Sequence, residues 1–285
     1  ENSPKPSFTD SIPLFQMASS MPHILWQGFR YQQELRRHNV QIGYSHILES
    51  VHKTDDGLSA VLIPINTGNN LERITFNVDS VLLGYGFNPA SELLRLIGVQ
   101  QRYDPKWDYL VTERDNHCQT THDSVFAIGD CCGLRGARIA EAEGIIAAGA
   151  AVREIGQRLS ATFWKRIVLA RIVKALHKRF QTGLWTLFGS PGQQIDQSTP
   201  STIVCRCEEV FKEQIDSLLL SGYTDIGEIK RVTRLGMGRC QGRYCAHLVV
   251  KLLRQKTGTI PNEEDFFAPR TPIRPLALKD IASGH

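Results

Sequence analysis

The spacing of apolar and polar positions changes several times along the chain, and each change predicts an element. In PHILWQGFRYQQELRRHNV (22–40), Ile24, Leu25, Phe29, Leu35 and Val40 fall near one face at helical spacing, with the arginines opposite. That pattern predicts an amphipathic helix, preceded by a loop-like stretch containing Pro4, Pro6 and Pro13. Residues 41–87 then alternate apolar and polar positions, broken at Asp55-Asp56-Gly57 and at NTGNN (66–70). Alternation with such breaks predicts a β-meander with tight turns. It ends in SVLLGYG (80–86), a short apolar run of the kind a strand buried on both faces of a parallel sheet requires. SVFAIGD (124–130) predicts a second such strand.

The Ala- and Gly-rich stretch 133–156 predicts a helix lying close against a sheet. Residues 161–188 predict a basic amphipathic helix, and GSPGQQIDQSTPS (189–201) a linker and domain boundary. A cysteine-bearing segment follows, then a Pro-rich tail, and no internal repeat is present. The whole predicts an α/β fold in five parts: 1–80, 81–158, 159–200, 201–258 and 259–285.

Composition narrows the class. The 285 residues are 41% hydrophobic, enough for a packed core, and no run of about 18 apolar residues predicts a membrane span. No charged n-region leading into an apolar h-region is seen, so no signal peptide is expected. The net charge of +4 is localised: residues 201–258 carry ten Lys or Arg against six Asp or Glu. The remaining residues carry 23 of each sign. A nucleic-acid binder would show a denser basic stripe with stacking aromatics, so no nucleic-acid partner is expected. The number of cysteines is seven, an odd count without an export signal, which points to metal or redox chemistry rather than a disulfide framework.

Two places carry chemistry. The first is TTHDSVFAIGD (120–130), where a buried strand ends in Gly129-Asp130. An aspartate at the carboxyl end of a parallel strand can accept hydrogen bonds from cofactor hydroxyls, and ligands of open α/β sheets bind there. The next helix is expected to begin at Gly136 and Ala137, with its free N–H groups and positive dipole end available to an anionic group. The alternative for Asp130 is a capped turn on an ordinary strand. Cys131 and Cys132 read as small buried side chains, because a disulfide between adjacent residues strains the peptide. Cys118, His117 and His122 lie in a polar turn and receive no role.

The second place pairs Cys205-x-Cys207 with Cys240-x-x-x-x-Cys245, 32 residues apart. Four thiolates in two close pairs is the stoichiometry of a Cys₄ site. A [2Fe–2S] cluster uses all four. Zinc favours wider knuckles than Cys-x-Cys, and a redox dithiol at Cys240 and Cys245 would leave Cys205 and Cys207 unexplained. A cluster with four thiolates carries about −2, or about −3 when reduced, and the interleaved Arg206, Arg239 and Arg243 would offset that charge. Two short helices around Ser221–Asp225 should carry the chain away from the site and back, with Gly236 and Gly238 shaping the ligand loop. A third helix after Cys245 should face inward through Leu248, Val249, Leu252 and Leu253.

VLLGYGFNPASEL followed by VFAIGDCCGLRGARIAEAEG resembles the C-terminal flavin-binding half of two-dinucleotide-binding (Rossmann-like) oxidoreductases. CRCEEV…RLGMGRCQGRYC resembles the bacterioferritin-associated-ferredoxin-like (BFD-like) [2Fe-2S] domain. Their order resembles the α subunits of bacterial opine oxidases, hydrogen cyanide synthase and dye-linked amino-acid (proline, hydroxyproline) dehydrogenases. The resemblance implies FAD contacts at Gly86, Gly129, Asp130, Gly136 and Ala137, and cluster ligands Cys205, Cys207, Cys240 and Cys245. It implies that 1–80 is the remnant of a nicotinamide-type domain and 81–158 the C-terminal half of an FAD domain. It also implies a partner β subunit of the glycine- or D-amino-acid-oxidase type, which oxidises substrate at its own flavin while this chain relays electrons. The family's G-x-G-x-x-G loops are missing, since GYGFNP breaks the spacing, so this chain alone is expected to hold FAD and NAD weakly. A stand-alone NAD(P)H oxidoreductase and a non-enzymatic iron–sulfur carrier are the competing readings. Helix 161–180 is expected to face a partner subunit, the alternative being the inner surface of the cytoplasmic membrane. A cytoplasmic location follows from these expectations.

Overall fold

The computed structural model describes residues 3, 5–6, 10–65, 72–84, 86–189 and 198–283, which divide between two compact units. The predicted turn at 66–70 and most of the predicted linker, 190–197, lie outside the described residues.

The first unit comprises residues 1–85 and 172–190. It opens with α1 (Ser11–Ser20), where a loop was expected. Pro13 sits in the first turn, where a helix has no partner for the missing N–H, so it does not break the helix. α2 (Pro22–Arg37) follows, with Pro22 at its first position. Met17, Met21, Phe180 and Leu187 form the buried cluster of this unit, and Ile24 and Leu25 pack on it. The rest of the predicted apolar face of α2 does not: Phe29, Leu35 and Val40 are exposed, because only the first turn of α2 reaches the cluster.

The expected meander is present as β1 (His46–Thr54), β2 (Gly57–Pro64) and β3 (Ile74–Val78), antiparallel in that order. Thr54 pairs with Gly57 across the Asp55-Asp56 turn, and a bulge interrupts β1 between Leu48 and Ser50. The described residues of the predicted buried strand 80–86 form no strand: Leu82 is 97% exposed and Leu83 56%. A parallel strand needs a hydrogen-bonded neighbour and covered faces. The described residues supply this segment with neither.

The second unit comprises residues 86–171 and 191–285. α3 (Glu92–Leu96) leads to the antiparallel hairpin of β4 (Gln101–Asp104) and β5 (Tyr109–Thr112). Leu94, Val99, Ala127 and Cys132 form one small core. The predicted strand 124–130 is reduced to a single antiparallel bridge between Phe126 and Gln119, with Ile128 42% exposed. Here too the parallel neighbours that would extend it are lacking among the described residues, and every strand pair there is antiparallel. Gly129–Cys132 is a single 3₁₀ turn.

α4 (Ala137–Glu154) begins where expected. Its small residues serve close packing: a Cβ on Gly149 would overlap the Ile167 side chain of α5 (Ala161–Phe188), whose second half belongs to the first unit.

The cysteine segment is a short antiparallel pair, β6 (Ile203–Cys205) and β7 (Val210–Phe211), then α6 (Lys212–Leu220), α7 (Ile226–Thr233) and α8 (Ala246–Thr257). The Asp225 carboxylate caps α7 by accepting from the Glu228 N–H at 2.8 Å. Arg234, in the left-handed conformation, ends it. Ile215, Ile229, Leu235 and Val249 are fully buried in the core, which Tyr103 and Leu110 of the β4–β5 hairpin join. The inward stripe of α8 is Val249, Val250, Leu252 and Leu253. Leu248, expected inward, flanks that stripe and is exposed. The tail is ordered: Asn262 caps a 3₁₀ turn at Glu263–Asp265, Phe266 and Phe267 are buried, and α9 (Leu278–Ala282) closes the chain.

Candidate cluster site and flavin-facing turn

The four cysteines of the double motif are free thiols held by different elements. Cys205 ends β6, Cys207 lies in the following turn, Cys240 sits in the loop after α7, and Cys245 caps α8. Cys205 and Cys245 are buried, while Cys207 and Cys240 are half-buried. Burial pushes the Cys245 thiol up, well above the usual range, and the neighbouring Cys205 and Cys240 add to the shift. Those three therefore share one neighbourhood. Cys207 is tied to the same loop through Gly238, where a Cβ would overlap the Cys207 side chain.

Among the described residues no group of three His, Cys, Asp or Glu stands close enough to hold a single metal ion. Two irons bridged by sulfides span more than one ion does, and four thiols in two pairs supply the ligands they need. The bare α-carbon of Gly238 lets the Cys207 side chain lie against the loop that carries Cys240, and in number and chemistry the four thiols fit a [2Fe–2S] cluster.

Gly236 and Gly242 have a different role. Both adopt positive φ, +74° and +80°, and a Cβ on either would overlap the Phe267 ring. Phe267 thus lies against both ends of the ligand loop. Arg243, expected to offset cluster charge, instead pairs with Glu92 at 3.0 Å and donates to the Cys240 carbonyl at 3.5 Å. It also donates to the Ile273 carbonyl. Its guanidinium thus links the Cys240 carbonyl to the tail and fixes the loop. Arg206 and Arg239 are exposed.

Four of the five residues expected to contact FAD lie at one largely exposed turn. Gly129 (φ +73°) and Asp130 begin the 3₁₀ turn, Gly136 (φ +85°) caps α4, and Ala137 starts it. Gly86 (φ +100°) lies on the separate, exposed segment before α3. The turn and helix end fit one side of a dinucleotide cofactor; the glycine loop that cradles a pyrophosphate is not in this sequence.

A buried ion pair that the sequence did not reveal holds the turn. Arg114 contacts Glu143 at 2.6 Å, their side chains 6% and 1% exposed. Arg114 also donates to the Ala127 carbonyl at 2.6 Å, and Glu143 accepts from the Gly129 N–H at 3.3 Å. Burial, the largest single influence, works against the Arg114 charge, but the Glu143 hydrogen bond and charge together with the nearby Cys132 and Cys118 outweigh it and push the guanidinium up. The only advance signal was an acidic residue on the inner face of an Ala-rich helix.

Cys131 and Cys132 have sulfurs 3.6 Å apart, and Cys131 donates to the Ile128 carbonyl at 3.2 Å. Cys132 is fully buried as expected, whereas Cys131 is half-exposed. The Cys132 hydrogen bond lowers the Cys131 thiol below the usual range, while Cys132 is pushed up. Cys118, given no role, is fully buried with φ +68°. His117 Nδ1 lies 3.4 Å from both Arg153 and Arg171, and His122 is exposed.

A flavoprotein-type segment followed by a four-cysteine helical segment defines the class, an oxidoreductase chain with two cofactor-binding parts. Residues 27–154 match the pyridine nucleotide-disulphide oxidoreductase family, and residues 203–255 match the BFD-like [2Fe-2S] binding domain, a span that includes all four cysteines. The chain is 32% identical to an opine oxidase subunit from Rhizobium meliloti over 71% of its own length and 39% of the relative's. It is 32% identical to the hydrogen cyanide synthase subunit HcnB of Pseudomonas aeruginosa over 69% of its length and 42% of the relative's. The crystal structure of L-proline dehydrogenase from P. horikoshii shares the fold, with a TM-score of 0.61 at 20% identity, over 87% of this chain and 47% of that one. The chain thus spans less than half the length of each of these three proteins. Through these two matches it is similar to flavin oxidoreductases that carry a BFD-like [2Fe-2S] domain.

Proposed function

We propose that this chain is the electron-transferring part of a heteromeric flavin-dependent dehydrogenase acting on amino acids, opines or amines. The observation that carries the reading is the single span 203–255, which matches the BFD-like domain and brings Cys205, Cys240 and Cys245 into one neighbourhood with Cys207 against their loop.

When bound, a [2Fe–2S] cluster supplies one-electron transfer and FAD supplies two-electron acceptance. In this reading Cys205, Cys207, Cys240 and Cys245 ligate the cluster. Gly238 admits Cys207 to the site, and Arg243 holds the Cys240 carbonyl in place. On the flavin side, Asp130 accepts hydrogen bonds from cofactor hydroxyls, Gly129 and Gly136 bring backbone close to it, and Ala137 offers the α4 N-terminus to an anionic group. Gly86 completes the proposed contacts from its own segment. No residue of the chain is assigned to substrate chemistry, which we place on a partner β subunit of the glycine- or D-amino-acid-oxidase type.

Support for a partner comes from the two enzyme relatives named as subunits, and from α5. Trp164, Val168, Leu169 and Ile172 form an exposed apolar stripe on that helix at helical spacing. Among the described residues no helix is long and apolar enough to cross a membrane. We propose a cytoplasmic setting, with α5 against the partner.

Anaerobic reconstitution of the chain with iron and sulfide tests the reading. Two irons and two acid-labile sulfides per chain, with a reducible visible spectrum, are expected. Stoichiometric zinc without labile sulfide, retained after reconstitution, would sink it.

A further inference from the structure

We propose that the cleft between the ligand loop and the C-terminal tail is a binding site for a phosphate-sized oxyanion. The cleft is bounded by Gln241–His247 on one side and Phe266–Arg270 with Ile273 on the other, with α3 and Lys230 completing it. It encloses about 60 Å³, roughly twice the ~30 Å³ share of one water in the liquid. That is room for two waters or one tetrahedral anion, with any larger substituent left in the open mouth.

Charge selects the anion. Four cations line the cleft: Arg95, Lys230, Arg243 and Arg270. Two are already neutralised, Arg95 by Glu263 at 3.2 Å and Arg243 by Glu92 at 3.0 Å. Among the described residues Lys230 meets only the Phe267 ring, at 5.0 Å, and Arg270 has no carboxylate partner. Two uncompensated positive charges on one small cleft match a phosphate dianion.

A second observation is independent of charge. His247 lines this cleft, and its Nδ1, sealed from solvent behind that wall, has no hydrogen-bond partner among the described residues. The ring is packed edge-on against Phe266 at 5.4 Å. A buried nitrogen without a partner costs about 1–3 kcal/mol, so such atoms usually mark a missing water or ion. The site bridges the ligand loop and the tail, and it does not depend on the cluster being present.

The test is calorimetric titration of the full chain at constant ionic strength with inorganic phosphate, and in a second arm with AMP. Saturable one-to-one binding of phosphate is expected, weakened about tenfold or more by Lys230→Gln and by Arg270→Gln. Neither residue is a proposed cluster or flavin ligand, and unchanged thermal unfolding verifies that both variants fold. Binding of AMP as tight as that of phosphate would make a phosphate ester the natural occupant. Binding of phosphate alone would make it the free anion, and either result supports the site. No saturable heat from either compound up to about 10 mM, or an affinity unchanged in both variants, overturns it: the cleft then holds water only.

Discussion

The ring of Phe267 rests on the bare α-carbon of Gly242, and the same ring covers Gly236, so one side chain of the tail closes both ends of the loop that carries Cys240. Any side chain at either glycine must displace that ring and also adopt a left-handed backbone. Gly242→Ala is expected to destabilise the chain by about 1–3 kcal/mol from overpacking, with about 1 kcal/mol more from backbone strain. Phe267→Ala should cost about 3–5 kcal/mol through the cavity it leaves. Urea unfolding reads both. Limited proteolysis should then cut within 260–273 faster in either variant than in the parent.

The buried pair of Arg114 and Glu143 holds the Gly129-Asp130 turn to α4. Removing one partner leaves the other charged and buried, which costs about 3–5 kcal/mol. Glu143→Ala should therefore lower stability by that amount. The double replacement Arg114→Leu with Glu143→Leu should recover much of it. A single and a double variant of equal stability would show that the pair is not what holds the turn.

Tyr103 donates to Asp108 at 2.7 Å and accepts from Arg254 at 3.3 Å. Burial pushes its hydroxyl up to about 12, and the Asp108 hydrogen bond and charge reinforce the shift. The folded chain thus keeps this proton when the unfolded chain, with an ordinary tyrosine near 10, has lost it. The contribution is fully present below pH 10 and is lost as pH rises toward 12. Chemical denaturation across that window should show stability falling in the parent and falling less steeply in Tyr103→Phe.

Single serine replacements at Cys205, Cys207, Cys240 and Cys245 should each remove most of the iron taken up on reconstitution. Cys131→Ser should leave iron uptake intact. Equal iron content in all five variants would remove the assignment of the four cysteines, whatever the stability of the proteins.

The parts of this molecule that local pattern could specify were legible. The alternation in 46–64 gave β1 and β2 with their turn at Asp55-Asp56, and the run from 161 to 188 gave α5 with its bounds. The two short helices expected on either side of Ser221–Asp225 are present as α6 and α7. What failed needed partners that periodicity does not show. Leu82 and Leu83 read as a doubly buried strand, yet a parallel strand exists only when others flank it. Phe29 and Leu35 read as a core face, but α2 packs through its first turn alone. Gly236 was expected to shape its loop, and the ring it accommodates there lies 31 residues further on, at Phe267, where no local pattern points.

Cys131 offers a chemical reporter on this chain. The residue is partly exposed, its thiol is more acidic than an ordinary one, and it directly follows Asp130. Its neighbour Cys132 is fully buried, so an alkylating reagent at neutral pH should discriminate sharply between the two. The labelling rate at that one sulfur then serves as a footprint of the turn. It slows when a cofactor or an added polypeptide covers Asp130 and recovers when the cover is withdrawn.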